Sequence, residues 1–331
     1  MFPDKIYYEP AALEYELGRQ LKEKFKNVPW LPIESHNDIK ELRSNPNKEF
    51  ARMKRHLIIG VRKSLKYRPN HKVSDYLVPY TSSGCSAMCL YCYLVCSYNK
   101  CSYLRLFVNR EQMMDKLIKT ANNSEKDMVF EIGSNSDLVL ENTITGNLEW
   151  SIESFKISKK GFITFPTKFD MIEPLLNLDH GGRVIMRMSV NPDEVIRKVE
   201  FGTSSLEARL RALNRMCDAG YKVGMLIAPV VLTDNWMELY SRLIEQLSDG
   251  LSQKAKDQLF IEIIFMTYSY VHRAINREAF PKAVELFDKS LMTGRGRGKY
   301  CYREDVRAVG EQFLREQISQ RLKGIPIVYV V

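Results

Sequence analysis

The regular alternation of strand-like and helix-like segments after residue 75 constrains the fold more than any other feature. Six short, largely apolar and β-prone runs recur, at residues 76–83, 128–136, 161–168, 183–190, 222–229 and 259–266. Between them lie segments with helical periodicity; in residues 205–219, for example, Leu206, Leu210 and Leu213 share one side. Strands that alternate with helices indicate a parallel sheet with right-handed crossovers. Six such units predict an α/β fold, a partial (β/α)6 barrel.

The two ends of the chain do not follow this alternation. The first 75 residues contain one strand-like run, 57–61, which predicts a small α/β extension. Near the other end, a glycine-rich segment at 294–302 predicts a hairpin, 304–323 an amphipathic helix and 325–331 an edge strand. We therefore expect three parts: an N-terminal extension (1–75), the barrel (76–275) and a C-terminal hairpin, helix and edge strand (276–331).

Three cysteines lie close together just after the first predicted strand. Cys85, Cys89 and Cys92 have the spacing Cys-x3-Cys-x2-Cys. Thiolates are the usual ligands of iron–sulfur clusters, and three on one loop leave one iron of a four-iron cluster open to another ligand. An open iron indicates a catalytic cluster rather than an electron carrier. A zinc site, with Cys96 or Cys101 as the fourth ligand, and simply buried cysteines are the alternatives at this point.

Polar residues mark the ends of four successive predicted strands. The cysteine loop follows the first strand, Ser136 and Asp137 close the second, Lys168 ends the third and Ser189 lies at the end of the fourth. A single polar residue at such a position is commonly a cap or turn former. Because the carboxyl ends of parallel strands converge at one mouth, four together predict a single site.

Composition favours a cytoplasmic protein with a polyanionic partner. Seven cysteines without a disulfide-like pattern are typical of a reducing compartment, and no run reaches the roughly 18 apolar residues of a membrane span. The chain carries 49 basic and 40 acidic residues, a net charge of +9. Basic residues cluster at 52–68 and 295–299, which favours nucleic acid, although a basic run is also typical of an ordinary solvated surface.

The cysteine spacing and the strand–helix pattern together resemble the radical S-adenosylmethionine (SAM) superfamily. The resemblance implies a TIM-like partial barrel and a [4Fe-4S] cluster on Cys85, Cys89 and Cys92. It also implies that SAM chelates the open iron and is cleaved reductively to a 5′-deoxyadenosyl radical. An electron donor of ferredoxin or flavodoxin type is then expected as a partner.

Five further segments, in order along the chain, are similar to the spore photoproduct lyases. They are Tyr7-Tyr8-Glu9-Pro10, Gly60-Val61-Arg62-Lys63-Ser64-Leu65-Lys66, Cys92-Tyr93-Leu94, Gly202-Thr203-Ser204-Ser205 and Gly298-Lys299-Tyr300-Cys301-Tyr302. That family repairs UV-damaged DNA of bacterial spores by reversing 5-thyminyl-5,6-dihydrothymine to two thymines. The resemblance implies that the radical takes hydrogen from C6 of the dihydrothymine, after which the methylene bridge breaks by β-scission. It also implies action inside the spore or germinating cell.

The same resemblance implies roles for individual side chains. SAM or lesion contacts are expected at four strand-end residues, with Lys168 as the partner of the cofactor carboxylate; they are Ser136, Asp137, Lys168 and Ser189. Tyr91 and Tyr93 flank the third cysteine, and Tyr93 is the better candidate for a hydrogen relay. DNA contacts are expected from the glycine-rich hairpin, at Arg295, Arg297, Lys299 and Tyr300.

Two positions depart from the family pattern. Where members carry a hydrogen-donating cysteine after the second strand, this chain has Ser134, whose O–H bond is too strong for that step. Cys96 is the first candidate for a relocated donor, followed by Cys101 and Cys301. Where members carry an arginine followed by an aromatic wedge, Arg295 is followed by glycine.

Three functions remain open from the sequence. The first is a spore photoproduct lyase with a relocated hydrogen donor. The second is a radical SAM paralogue of that family that acts on another substrate. The third is a non-catalytic, metal-containing nucleic-acid-binding protein.

Overall fold

The computed structural model describes residues 3–96 and 103–331, apart from the side chain of Cys96. The strands are β1 (Lys5–Tyr8), β2 (Trp30–Pro32), β3 (His56–Gly60), β4 (Arg68–Pro69), β5 (Tyr76–Leu77), β6 (Ser82–Ser83), β7 (Met88–Cys89), β8 (Arg105–Phe107), β9 (Val129–Glu131), β10 (Phe162–Thr167), β11 (Val184–Val190), β12 (Glu200–Phe201), β13 (Lys222–Val230), β14 (Ile261–Phe265), β15 (Thr267–Ser269), β16 (Met292–Gly294), β17 (Lys299–Tyr302) and β18 (Ile327–Val330). The helices are α1 (Glu16–Lys24), α2 (Lys40–Ser44), α3 (Phe50–Met53), α4 (Arg110–Asn122), α5 (Leu138–Thr145), α6 (Asn147–Phe155), α7 (Asp193–Val199), α8 (Leu206–Asp218), α9 (Trp236–Gly250), α10 (Gln253–Lys256), α11 (Tyr270–Ala279) and α12 (Glu304–Arg321).

The larger sheet is the predicted partial barrel. Its strand order is β18-β14-β13-β11-β10-β9-β5-β4, and all pairs are parallel except β4 with β5. Its longest strand, β13, is buried at seven of its nine positions. One face of this strand packs against helices, and the other face points into the packed interior of the barrel. The carboxyl ends of its parallel strands therefore open at one mouth, as predicted.

A buried ion network lies across the interior of this sheet. The Arg187 guanidinium on β11 donates to Glu131 on β9, to both carboxylate oxygens of Glu262 on β14, at 2.9 and 3.0 Å, and to Thr164 Oγ1 on β10 at 3.0 Å. All four side chains are almost completely buried. Charges are tolerated at such depth only when they are paired and hydrogen-bonded, so the network fixes four strands relative to one another.

The prediction of a single strand at 76–83 was wrong. Residues 76–77 form β5 in the barrel sheet, whereas β6 pairs antiparallel with β8 in a second sheet. Pro79 lies between the two strands and has no backbone N–H for a ladder hydrogen bond. The chain therefore leaves one sheet and enters the other immediately before the cysteine loop.

The N-terminal extension is more extensive than the sequence indicated. Its sheet has the order β2-β1-β3-β8-β6, and only the β6–β8 pair is antiparallel. Its core includes Ile6, Leu57 and Leu106, against which Leu17 of α1 packs. The sequence predicted β3, but β8 is only three residues long and lacks a readable pattern.

The C-terminal elements agree with the sequence prediction. β16 and β17 form the hairpin and β15 completes its small antiparallel sheet, α12 follows, and β18 pairs with β14 at the edge of the barrel. No helix within the described residues is both long enough and apolar enough to span a bilayer. The division into parts ending at residues 75 and 275 stays a prediction.

Candidate active site

The cysteine loop is anchored at its start by hydrogen bonds to residues that follow β9 and to a lysine that precedes β3. Gly84 has φ +83°, a conformation that favours glycine, and its N–H donates to Asn135 O at 2.7 Å. Its carbonyl accepts from Ser136 Oγ at 2.8 Å, and the Cys85 carbonyl accepts from Lys54 Nζ at 2.6 Å. Ser136, predicted as a cofactor contact, therefore holds the loop in place.

The middle of the loop is held by a short antiparallel ribbon. β7 pairs with β12, which places Cys89 opposite Glu200. Asn276 Nδ2 of α11 donates to the Leu90 carbonyl at 2.8 Å and fixes the turn that follows. Glu200 was not predicted as a site residue.

A cavity of about 300 Å³ lies at the mouth of the barrel, and it gathers the predicted residues. Its lining includes the three loop cysteines and both neighbouring tyrosines, Tyr91 and Tyr93, together with Ser134, Ser136, Asp137, Lys168, Ser189 and Ala228. The thiols are half-buried, and burial raises the pKa of Cys85 to about 12 and also raises that of Cys89.

The thiols line one side of this cavity without meeting at a point. Within residues 3–96 and 103–331, no three His, Cys, Asp or Glu side chains are gathered as the ligands of one metal ion would be. Three thiols on one loop nevertheless fit an iron–sulfur cluster, in which each cysteine ligates a different iron.

The Lys168 ammonium lies in the wall of the cavity and uses all three of its donors. Its Nζ donates to Ser189 Oγ at 2.7 Å, to Ala228 O at 2.7 Å and to Glu200 Oε1 at 2.9 Å. The side chain is 19% exposed. Three oxygens thus hold a cation at the surface of the cavity, where an anionic ligand could meet it.

Asp137 has a structural use in addition to its place in the lining. Its carboxylate caps α5 by accepting from Leu140 N at 3.2 Å, and it also accepts from Lys168 N and Thr167 Oγ1, each at 2.9 Å. Burial raises the pKa of Asp137, while these hydrogen bonds oppose that rise. It therefore ties the ends of the second and third predicted strands together.

The two tyrosines beside Cys92 differ in their surroundings. Tyr91 is half-buried and its hydroxyl donates to Glu200 Oε1; burial and that carboxylate raise its pKa well above the ordinary value. Tyr93 is 54% exposed, and its hydroxyl donates to the main-chain carbonyl of Ser134. Tyr93 therefore stands next to the position that departs from the family pattern.

The hairpin forms as predicted and its basic residues face solvent. Arg295 N donates to Lys299 O at 2.7 Å, which closes the turn, and Arg297 has φ +51° between two glycines of positive φ. Arg295, Arg297 and Lys299 are exposed, whereas the Tyr300 ring packs edge-on against Phe287 at 4.7 Å between ring centroids. Three of the four predicted DNA contacts are thus accessible, and Tyr300 is half-buried.

Comparison with known proteins identifies the family. The sequence model described as "Spore photoproduct lyase" matches residues 1–331. The spore photoproduct lyase of Bacillus subtilis strain 168 is 33% identical over 325 residues, covering 96% of this chain and 94% of the relative. This chain belongs to the spore photoproduct lyase family.

Other members of the spore photoproduct lyase family agree in sequence and in structure. The Clostridium acetobutylicum lyase is 30% identical and covers 99% of this chain and 98% of its own length. A solved mutant spore photoproduct lyase with bound AdoMet and dinucleoside spore photoproduct has a TM-score of 0.92 and 29% identity, covering 100% of this chain and 99% of its own. This similarity confirms the predicted fold.

The candidates for a relocated hydrogen donor are only partly described. Cys101 lies outside the described residues, as does the side chain of Cys96. Cys301 is half-buried on β17, opposite Thr267 on one side and Thr293 on the other. Because Thr267 lines the cavity, Cys301 lies one strand away from it. All three assignments stay predictions.

Proposed function

We propose that this chain is a radical SAM lyase that breaks the carbon–carbon bond joining the two bases of spore photoproduct and restores two thymines. The supporting observation is that the three-cysteine loop and the Lys168 ammonium share one cavity at the mouth of the barrel. Family membership supports the proposal, because solved relatives are named with AdoMet and dinucleoside spore photoproduct bound.

The loop cysteines would bind the cluster, and the strand-end residues would bind SAM. Cys85, Cys89 and Cys92 would hold a [4Fe-4S] cluster, which supplies the electron that cleaves SAM. Lys168, with Ser189 beside it, would attract the cofactor carboxylate, and a charge-assisted hydrogen bond to that carboxylate would replace one of the three that the ammonium makes within the protein. An electron donor of ferredoxin or flavodoxin type is the expected partner.

The return of a hydrogen atom to the substrate needs a group with a weak X–H bond. Ser134 does not meet this condition, whereas a tyrosine hydroxyl or a cysteine thiol does. Tyr93 is the first candidate, because its hydroxyl donates a hydrogen bond to the Ser134 carbonyl. We propose that Tyr93 passes the hydrogen atom and that a cysteine, Cys96 or another, takes part in its supply.

The exposed hairpin would bind the DNA backbone and so position the lesion at the cavity. Arg295, Arg297 and Lys299 place positive charge on a turn next to the barrel mouth, and phosphate contacts of this kind position DNA without reading its sequence. We propose that damaged duplex DNA is the substrate and that these side chains contact its backbone.

The test is anaerobic turnover of a dinucleotide spore photoproduct by reconstituted protein with SAM and dithionite, followed by chromatography and mass spectrometry. Formation of thymine dinucleotide together with 5′-deoxyadenosine is the expected result. SAM cleavage with unchanged lesion would contradict the proposal and favour a paralogue with another substrate. Absence of both SAM binding and SAM cleavage would favour the nucleic-acid-binding protein.

A further inference from the structure

A single buried carboxylate organises the wall of the cavity. The Glu200 side chain is fully buried, and its Oε1 accepts from Lys168 Nζ at 2.9 Å, from Asn191 Nδ2 at 2.8 Å and from the Tyr91 hydroxyl. These donors come from the end of β10, the end of β11 and the cysteine loop. Its backbone pairs with Cys89. One carboxylate therefore connects three parts of the site.

A second buried charge, that of Arg209, stabilises the other oxygen of this carboxylate. Arg209 of α8 is completely buried, and its Nη2 donates to Glu200 Oε2 at 2.7 Å. Three further guanidinium N–H groups donate to Ser189 O, Ser204 O and Thr203 Oγ1 at 2.7 to 2.9 Å. Although burial by itself would raise it, the charges of Lys168 and Arg209 lower the pKa of Glu200 to about 2. A buried ion is stable only with such partners.

The location of this pair distinguishes it from an ordinary structural ion pair. Both cations have hydrogen-bond acceptors within the protein, but Lys168 lines the cavity and Arg209 does not. Lysine has a flexible four-carbon stem, and fixing its ammonium before a ligand arrives removes an entropic cost from binding. A fixed ammonium therefore binds an anionic ligand more tightly than a mobile one.

We propose that Glu200 is a positioning residue that fixes the Lys168 ammonium for the carboxylate of SAM and holds the Tyr91 hydroxyl beside the cysteine loop. The proposal rests on the proposed function, since it takes SAM as the ligand of the cavity. Glu200 acts through Lys168 and Tyr91 and does not itself contact the cofactor. Replacement of its charge should therefore weaken SAM binding only when Lys168 is present.

The experiment is a double-mutant cycle on SAM affinity in reconstituted protein. Glu200→Gln, Lys168→Met and the double variant are compared with wild type by equilibrium binding of SAM. Thermal unfolding and iron content are measured for each variant. Glu194→Gln is the matched control, because Glu194 is a partly exposed glutamate whose salt bridge is to Lys198 in the next turn of α7.

Glu200→Gln is expected to weaken SAM binding roughly tenfold or more, the range for a hydrogen bond to a charged group. In the Lys168→Met background the same change should have little further effect, because interacting residues are not additive. Unchanged affinity in Glu200→Gln, or effects of the two single changes that simply add, would overturn the proposal. If the Gln variant does not fold, Glu200→Asp, which keeps the buried charge beside Arg209, serves in the same cycle.

This result is separable from a failure of the proposed function. Wild-type protein that does not bind SAM would contradict the proposed function itself. Wild-type protein that binds SAM, with a Glu200→Gln variant of equal affinity, would contradict only the positioning role.

Discussion

At the scale of single residues, the candidate site is defined by what each side chain donates or accepts. Lys168 uses three donors on three oxygens, Ser136 anchors the cysteine loop, and Asp137 serves as a helix cap within the lining. Ser136 and Asp137 were predicted as cofactor contacts, and their hydrogen bonds hold the cysteine loop and the start of α5 in place. Their replacement is expected to disturb the loop as well as ligand binding.

Cys85→Ala is expected to abolish SAM cleavage, because a loop with two thiols cannot hold the cluster in the proposed way. Iron content, visible absorbance and 5′-deoxyadenosine formation are the measurements. Cys217→Ala is the control, since this buried cysteine lies on α8 outside the loop. Undiminished SAM cleavage in Cys85→Ala would contradict the assignment of the loop.

The two tyrosines are expected to have separable effects. Tyr93→Phe should lower the yield of repaired thymine per SAM cleaved, because it removes the hydroxyl beside Ser134. Tyr91→Phe should instead weaken SAM binding, by up to about tenfold, because Glu200 loses one donor. The measurements are the product ratio and the SAM affinity of each variant. If both variants changed the product ratio and the SAM affinity in the same way, the separate roles of the two tyrosines would be contradicted.

At the scale of secondary structure, α5 and α6 enclose a carboxyl group whose burial is only partly compensated by hydrogen bonds. Glu141 of α5 is completely buried, and its Oε1 accepts from Thr145 Oγ1 at 2.6 Å and from Asn147 Nδ2 at 2.9 Å. Its Oε2 has no hydrogen-bond partner among the described residues. Burial raises the pKa of Glu141 from 4.5 to about 7.

Glu141→Gln is therefore expected to stabilise the protein in a pH-dependent way. The folded-state pKa lies above the unfolded value, so ionisation destabilises the fold increasingly as the pH rises from about 4.5 through about 7. Above that range the gain from Gln should reach about 3 kcal/mol, and below about pH 4.5 it should vanish. Urea unfolding across this range is the measurement.

Glu153→Gln on α6 is the control for that prediction, because its side chain is exposed. It should change the free energy of unfolding little at any pH. A gain from Glu141→Gln that did not depend on pH would contradict a protonation effect and indicate a packing effect instead.

At the scale of the whole molecule, two sheets cooperate to place one loop. β6 belongs to the N-terminal sheet and ends at Ser83, immediately before the loop begins, and Lys54 of the same half bonds to Cys85. The other side of the loop rests on β12, which follows helix α7 of the barrel. The loop therefore lies between the N-terminal sheet and the barrel.

The charge distribution of the hairpin leads to a prediction about long DNA. Arg295→Ala with Arg297→Ala should weaken duplex binding and reduce the slope of log affinity against log salt by about 0.9 for each phosphate that an arginine no longer neutralises. Turnover of lesion-containing duplex should fall much more than turnover of the dinucleotide. Arg211→Ala, an exposed arginine paired with Glu207 on α8, is the control. An unchanged salt slope would place the DNA-binding surface elsewhere.

The sequence was sufficient for features that depend on neighbours along the chain. The strand–helix alternation and the glycines of the hairpin are local patterns, and they predicted the barrel, apart from its first strand, and the hairpin. The spacing of the loop cysteines is also a local pattern, and the cluster that it predicts stays a prediction. The strand-end residues were found because parallel strands end at one edge. Lys168 and Ser189 meet for that reason, although 21 residues separate them.

Features that depend on distant partners could not be predicted from the sequence. No local pattern indicates the role proposed for Glu200, because Tyr91 and Lys168 lie 109 and 32 residues away in sequence. The division of residues 76–83 between two sheets depends on the pairing of β6 with β8. A hydrogen bond depends on distance in space, and burial depends on the whole packed chain. The sequence thus predicted the barrel and its cysteine loop, whereas the partners of a buried charge such as Glu200 follow only from the folded chain.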